Sequence, residues 1–115
     1  MDATFFQRAI EVCSYSWNGA VNAYADGNKP FKITAFKPDY ILQWEINEAD
    51  AHNFNDCVNK PSPDDGGISA RHKSAVLGLF GGSTEFMKPA DFNALGASAA
   101  FNRAWCNPGN PATGH

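Results

Sequence analysis

Two short apolar runs joined by a Gly-Gly pair constrain the fold of this chain more than any other feature. The runs are Ala75 to Phe80 and Thr84 to Met87, and Gly81-Gly82 lies between them. Glycine adopts a positive φ at little steric cost, so the pair favours a tight reversal of the chain. The segment therefore predicts a β-hairpin.

Three further segments favour strands. Residues 13–24 mix small, polar and aromatic side chains, and Asn18-Gly19 predicts a bulge or turn within them. Residues 31–36 alternate in the period of a strand with one solvent-facing side. Residues 40–46 are aromatic and β-branched on both faces, which is typical of a central strand.

The remaining regular element is a short helix. Pro89 suits the first turn of a helix over residues 89–100, in which Gly96 is a weak point. We therefore expect an α+β domain over residues 1–115. It combines a small antiparallel sheet of about four to six strands, this helix and long irregular loops.

Composition narrows the function classes. With 43% hydrophobic and 18% charged residues the chain is expected to fold. The net charge is −3, and nine scattered Lys and Arg residues form no phosphate-tracking stripe, so nucleic acid is not an expected partner. The longest uncharged apolar stretch, residues 74–84, is too short to span a bilayer.

The N-terminus and the cysteines bear on the compartment. Residues 1–13 lack the apolar core and cleavage site of a signal peptide, so the protein is either cytosolic or has lost an upstream segment. The three cysteines, Cys13, Cys57 and Cys106, lack zinc-ribbon spacing. One disulfide in an oxidising compartment and three reduced thiols both fit this pattern.

Two stretches show no periodic pattern of hydrophobic residues. Residues 101–115 contain several prolines and glycines, and we expect an irregular tail along the surface, held by Trp105. Residues 47–67 form an acidic loop of the length that compact domains keep for function or ion-assisted ordering. This loop is the main candidate site.

Calcium is the cofactor that the acidic loop could bind. Carboxylate and carbonyl oxygens suit Ca²⁺, and Glu48, Asp50 and Asp56 are the best candidate donors. The loop lacks the order of residues of an EF-hand, and a solvated acidic loop without an ion explains the same pattern. Zinc is disfavoured because His52, His72 and His115 have no ligand spacing to one another.

His72 has a catalytic and a structural interpretation. Ser69 and Ser74 are near it in sequence, and Asp64 or Asp65 could orient its ring. No G-x-S-x-G nucleophile turn is present in the sequence, however. We therefore expect His72 to anchor the loop before the hairpin.

The aromatic residues have two readings as well. A sugar-stacking face could be built from three tryptophans and three tyrosines: Trp17, Trp44, Trp105, Tyr15, Tyr24 and Tyr40. Such residues more often fill the core of a small β-rich domain. Their exposure separates the two alternatives.

Taken together, several segments resemble one family. They are CSYSWNGAV, LQWEINEAD followed by FND, GGISARH followed by AVLGLFGGSTEFM, and the terminal NRAWCNPGNPATGH. They are similar to the C-terminal globular part of pseudopilin-like proteins with a prepilin-type cleavage and methylation signal, in the group with an H-x9-D-G processing-associated motif. The resemblance covers roughly residues 13–115. Its most specific parts are Arg71-His72 with the Gly-Gly hairpin, and the tail Trp105-Cys106-Asn107.

The resemblance implies a non-enzymatic head domain, related to the major pseudopilin of type II secretion systems, that assembles with other pilin-like subunits. His72 would be the motif histidine and Gly81-Gly82 would replace Asp-Gly, although eight residues separate His72 from Gly81 and the aspartate is absent. The family's N-terminal membrane helix is also missing from this chain. We therefore expect a secreted or envelope-exposed piece of a longer protein, or a stand-alone relative. Similar pseudopilins bind Ca²⁺ in a loop. The main alternative is an extracellular carbohydrate-binding module, with or without Ca²⁺.

Overall fold

The computed structural model of the protein describes residues 14–22, 30–47, 49 and 57–115. These residues form a five-stranded sheet and one α-helix, so the predicted α+β class is confirmed. The elements are β1 (Tyr15–Asn18), β2 (Ile41–Glu45), β3 (Val58–Asn59), β4 (Ala75–Leu79), β5 (Thr84–Met87) and α1 (Pro89–Ala97). Residues 5–12, whose sequence is also compatible with a short helix, lie outside the described residues.

The strands are arranged in the order β3-β1-β2-β4-β5. Strand β2 is central, as its apolar character on both faces predicts. It pairs antiparallel with both β1 and β4, and β4 pairs antiparallel with β5. The prediction of a wholly antiparallel sheet is wrong at one edge, because β3 runs parallel to β1. Strand β3 comes from the segment predicted as an irregular loop, since two residues are too few to show a strand period.

The β4–β5 hairpin has the predicted position, and its two glycines serve different purposes. Only Gly82 adopts a positive φ, +88°, at the point where the chain reverses. A side chain at Gly81 would instead meet Pro38, whose Cβ lies 2.8 Å from the position of the added carbon. The Gly81 amide donates to the Pro38 carbonyl over 2.9 Å. The hairpin turn therefore packs against the loop before β2.

The strand predicted for residues 31–36 is wrong. The chain forms a single 3₁₀ turn at Ile33–Ala35, and the amides of Ala35 and Phe36 donate to carbonyls three residues earlier. Both edges of β2 are occupied by β1 and β4, so the preceding segment cannot pair with it as a hairpin partner. Local turns satisfy the backbone instead. The Phe36 ring stacks on Phe80 with the centroids 4.2 Å apart.

The core lies between one face of the sheet and α1. Trp44 from β2 and Phe92 from α1 meet edge to face, with their ring centroids 5.0 Å apart. Small and aliphatic side chains complete this cluster: Ile41, Ile68, Ala75, Leu77, Met87 and Ala104. Helix α1 begins with Pro89 as predicted, and it ends at Ala97, three residues before its predicted end. In the described part of the chain, no helix is sufficiently long and apolar to cross a membrane.

The tail after α1 is irregular, as predicted, but it is not confined to the surface. Ala104, Trp105, Cys106 and Asn107 are all buried. The Ile41 amide donates to the Arg103 carbonyl over 2.8 Å, which continues the hydrogen bonding of β2 into the tail. The expectation of a surface tail is wrong, because its small and amide side chains complete the core layer.

A buried asparagine ties the tail to the sheet. The Asn18 side-chain amide donates to the carbonyls of Ile41 and Ala104, each over 2.8 Å, and its Oδ1 accepts from the Ala20 amide. Near this point the Arg103 guanidinium forms an ion pair with Glu85 on β5. These contacts fix the tail across three strands.

Candidate functional site

The face of the sheet opposite α1 carries exposed aromatic side chains. The strand register places eight residues on this outer face: Tyr15, Trp17, Gln43, Glu45, Val76, Gly78, Thr84 and Phe86. The solvent-accessible fractions of Tyr15, Trp17 and Phe86 are 44%, 50% and 76%. Aromatic side chains at such exposure mark a candidate contact surface.

Tyr15 and Trp17 form a pair of rings on β1. They are two residues apart, which places their Cα atoms about 7 Å apart on the same side of the strand. Tyr15 lies opposite Glu45, and Trp17 lies opposite Gln43. Each ring therefore has a polar neighbour on the adjacent strand.

Gln43 is accommodated by a glycine. A side chain at Gly78 would place its Cβ 2.9 Å from both Cγ and Nε2 of Gln43. The glutamine side chain therefore lies across β4 where that strand has no side chain of its own. The outer face is consequently a polar strip of Gln43 and Glu45, with aromatic rings on β1 at one side and Phe86 on β5 at the other.

Arg71 lies at the border of the outer face. A tight turn, in which the Lys73 amide donates to the Ala70 carbonyl, precedes β4. The Arg71 guanidinium is 3.8 Å from the Glu45 carboxylate, and that carboxylate also accepts from the Val76 amide over 3.2 Å. Glu45 thus takes the place of a backbone acceptor where β2 and β4 diverge.

His72 lies in the same turn and is exposed. Within the described residues its ring makes no hydrogen bond to a serine or an aspartate. The Ser69 hydroxyl is instead engaged by the Arg71 amide over 3.4 Å. The structure does not bring the residues of a serine triad together here, and the anchoring role of His72 stays a prediction.

The predicted motif residues of the tail form a separate cluster. The Trp105 indole donates to the Gly96 carbonyl over 2.8 Å, and its ring stacks on His115 with the centroids 3.8 Å apart. Asn107 accepts from the Gly109 amide and donates to the His115 carbonyl. These contacts link residues of the tail to one another and join Trp105 to α1. The cluster therefore stabilises the packing of the tail against the end of α1.

The cysteines have two different states. Cys57, just before β3, is disulfide-bonded, whereas Cys106 is a free thiol in the core. Cys13 lies outside the described residues. Burial raises the pKa of the Cys106 thiol from 9.0 to about 12. Cys106 is therefore a packing residue and not a nucleophile.

We expect Cys106 to be unreactive toward a thiol reagent at pH 8 in the folded protein and to react quickly after unfolding in denaturant. The folded thiol binds its proton more tightly than the unfolded one, so stability from this group is complete below about pH 9 and decreases as the pH rises toward 12. Titration of the protein with Ellman's reagent, with and without denaturant, measures this. Rapid reaction of the folded protein at pH 8 would contradict the burial of this thiol.

The predicted calcium donors Glu48, Asp50 and Asp56 lie outside the described residues, as does His52. Among the residues that the structure describes, no group of three or more His, Cys, Asp or Glu side chains is placed to hold a metal ion. Asp65, in the described part of the acidic segment, accepts from the Lys60 amide over 2.6 Å. The Ca²⁺ site stays a prediction.

Exposure divides the six aromatic residues considered for sugar stacking. Trp44 and Trp105 are buried, whereas Tyr15 and Trp17 are exposed. Tyr40 is half-buried, and Tyr24 lies outside the described residues. Sequence reasoning did not identify Phe86 as exposed. Neighbouring residues of a strand face opposite sides of the sheet, so burial of Met87 would have predicted an exposed Phe86.

Comparisons with protein-family models, with curated proteins and with solved structures find no match for this chain. A functional proposal therefore depends on the geometry of the described residues and on the resemblance of its sequence motifs.

Proposed function

We propose that this chain is the exposed head of a pilin-like subunit, related to type II secretion pseudopilins, and that it acts by assembly with other subunits. The observation that carries the proposal is the outer face of the sheet. A sheet face on which Tyr15 and Trp17 of β1 and Phe86 of β5 are exposed is suited to contact with another protein.

The distribution of polar groups supports the same role. The charged side chains at the outer face, Arg71 and Glu45, are paired with each other. Tryptophan, tyrosine and arginine, all present here, are the residues that carry much of the binding energy at interfaces. This arrangement favours a recognition surface.

A disulfide at Cys57 supports a location outside the cytoplasm. Disulfides persist in oxidising compartments, such as the periplasm and the cell surface. A secreted or envelope-exposed head of a pilin-like subunit would occupy this environment. The proposal also expects the native gene to encode, before residue 1, a basic leader, a prepilin-type cleavage site and about twenty apolar residues.

The test is incorporation into a surface assembly. A tagged copy of the native gene is expressed in its source cell, and the subunit is quantified in the sheared surface fraction, the membrane and the soluble fraction. We expect the wild-type chain in the sheared or membrane fraction. Trp17→Asp should reduce the sheared fraction about tenfold, because an interface tryptophan commonly contributes more than 1.4 kcal/mol.

The matched control is Ile33→Asp. Ile33 is 67% exposed, but it lies on a 3₁₀ turn away from the outer face. This variant should assemble as the wild type does. Because Trp17 is only half-exposed, circular dichroism of both purified variants must first show that each is folded at the temperature of the assay. A wild-type subunit found only in the cytosol, or a Trp17→Asp subunit that assembles normally, would refute the proposal.

A second candidate function is saccharide binding by the Tyr15–Trp17 pair. The two exposed rings, with Gln43 and Glu45 opposite them on β2, offer stacking surfaces and hydrogen-bonding groups. A glycan screen tests this, with quenching of tryptophan fluorescence as the second readout. Binding that Trp17→Ala abolishes and Phe86→Ala preserves would favour this candidate over assembly.

A further inference from the structure

Among the residues that the structure describes, strand β5 has a free edge. It is the last strand of the described sheet, and it pairs with β4 on its other side. The Leu79 amide donates to the Ser83 carbonyl, so Leu79 and Ser83 form a hydrogen-bonded pair. In an antiparallel hairpin such pairs alternate with pairs that are not hydrogen-bonded, so every second residue after Ser83 bonds to β4. By this alternation Glu85 and Met87 bond to β4, whereas the backbone groups of Thr84 and Phe86 point away from the sheet.

The free edge continues into Lys88. This residue is extended, with φ −75° and ψ 146°, so its amide follows the same alternation and points outward. Its carbonyl is already used, because it accepts from the amides of Asp91 and Phe92 at the start of α1. The edge therefore offers the amides of Phe86 and Lys88 and the carbonyls of Thr84 and Phe86.

This edge is only partly protected: Lys88 and Pro89 lie at its end, but no proline or bulge interrupts it from Thr84 to Met87. Natural edges are blocked by prolines, bulges, charged side chains or a covering segment. In β5 the regular pairing with β4 runs without a bulge from Thr84 to Met87, and Phe86 is the most exposed of the large hydrophobic residues described. Glu85 could repel a second copy, but its carboxylate is paired with Arg103.

We propose that β5 pairs antiparallel with β5 of a second copy of this chain, about a twofold axis that places Phe86 opposite Phe86. In this register the two Phe86 residues exchange their amide and carbonyl groups. Each Lys88 amide donates to the Thr84 carbonyl of the other copy, and Glu85 lies opposite Met87. The two five-stranded sheets join into one ten-stranded sheet.

The alternation selects this register. A shift that places Glu85 opposite Glu85 would set two acidic side chains face to face, which destabilises a strand pair. A shift that centres on Met87 would pair Phe86 with Lys88 and would need the Lys88 carbonyl, which already accepts from the amides of Asp91 and Phe92. With Phe86 on the axis, the two exposed rings lie side by side on the outer face, with their Cα atoms about 5.5 Å apart.

The contact is small, so pairing in solution is weak. Four backbone hydrogen bonds and two phenyl rings bury less than the roughly 1,200 Å² of a stable complex. Pairing becomes strong only where other contacts hold the subunits close, since effective concentration then replaces bulk concentration. The inference depends on the edge of β5 and not on the proposed role in a pilin-like assembly.

Analytical ultracentrifugation of the purified chain, from about 10 μM to about 1 mM, tests the pairing. We expect a monomer at the low end and a dimer that increases with concentration. Phe86→Glu should remove the dimer, because it places two carboxylates on the axis. Lys88→Pro should weaken it at least tenfold, because proline fits the φ of −75° but lacks the outward amide. Ile33→Glu, the control with a similarly exposed side chain, should dimerise as the wild type does.

Cysteine cross-linking reports the register. In oxidised glutathione, Phe86→Cys should form a disulfide-linked dimer, since Cα atoms about 5.5 Å apart match disulfide geometry. Thr84→Cys, which faces Lys88 of the other copy, should not. A chain that stays monomeric at about 1 mM, or a dimer that survives both Phe86→Glu and Lys88→Pro, would overturn the inference. A monomeric head would leave the assembly proposal to its own test, because that test follows Trp17 on the native subunit.

Discussion

Gly96→Ala should lower the free energy of unfolding by about 3 kcal/mol, even though alanine is the better helix former. Gly96 is a buried residue of α1, and its Cβ position overlaps the backbone carbonyl oxygen of Pro61. A backbone atom cannot rotate out of the way as a side chain can, so α1 must shift away from the segment after β3 that contains Pro61. That shift also loosens the hydrogen bond from the Trp105 indole to the Gly96 carbonyl.

Helix propensity alone predicts the opposite sign. In an exposed helix, replacing glycine with alanine stabilises by about 1 kcal/mol. Ala94→Gly, at an exposed position of the same helix, is the control and should cost about 1 kcal/mol. Thermal and urea unfolding followed by circular dichroism measure both variants. Gly96→Ala with a melting temperature at or above that of the wild type would show that α1 is not held against Pro61.

Asn18→Ala should destabilise the protein by about 3 kcal/mol, because it leaves three buried backbone groups without partners. The Asn18 amide is the donor for the carbonyls of Ile41 and Ala104, and its oxygen is the acceptor for the Ala20 amide. Alanine fills less volume and replaces none of these bonds. The tail should detach first, so hydrogen exchange should increase in residues 103–107 before the rest of the sheet.

Asn18→Asp separates the donor function of this side chain from its size. An ionised carboxylate would face two carbonyl oxygens, and burial would raise the pKa of the new carboxyl. The protonated form can donate to one carbonyl, so the variant should gain stability relative to the wild type as the pH falls. Asn93→Ala, at an exposed position of α1, should change the stability little. Equal losses for Asn18→Asp at pH 7 and pH 4 would contradict this account.

Local patterns were sufficient for the elements that depend on local chemistry. The Gly-Gly reversal predicted the β4–β5 hairpin, and the apolar run of residues 40–46 predicted the central strand β2. Proline at position 89 marked the start of α1. In each case a few neighbouring residues decide the backbone conformation, so the sequence carries the information directly.

Features that depend on distant partners were not predictable. Residues 31–36 have the period of a strand, but no strand edge is available beside β2 for them to pair with. The two residues of β3 become a strand only because β1 lies alongside. Trp17 and Trp44 both lie in segments that the sequence predicts as strands, yet one is exposed and the other buried. Which face a strand presents to the core is set by α1 and the tail.

The hydrogen bond from Asn18 to Ala104 joins residues that are 86 positions apart, and this separation delays folding during synthesis on the ribosome. Strand β1 emerges 86 residues before Ala104, the partner of its buried asparagine. At about 5–20 residues per second, the core face of the sheet stays uncovered for several seconds of translation. The completed fold therefore depends on the tail after α1, and a chain truncated before Ala104 should be a protease substrate instead of a smaller stable domain.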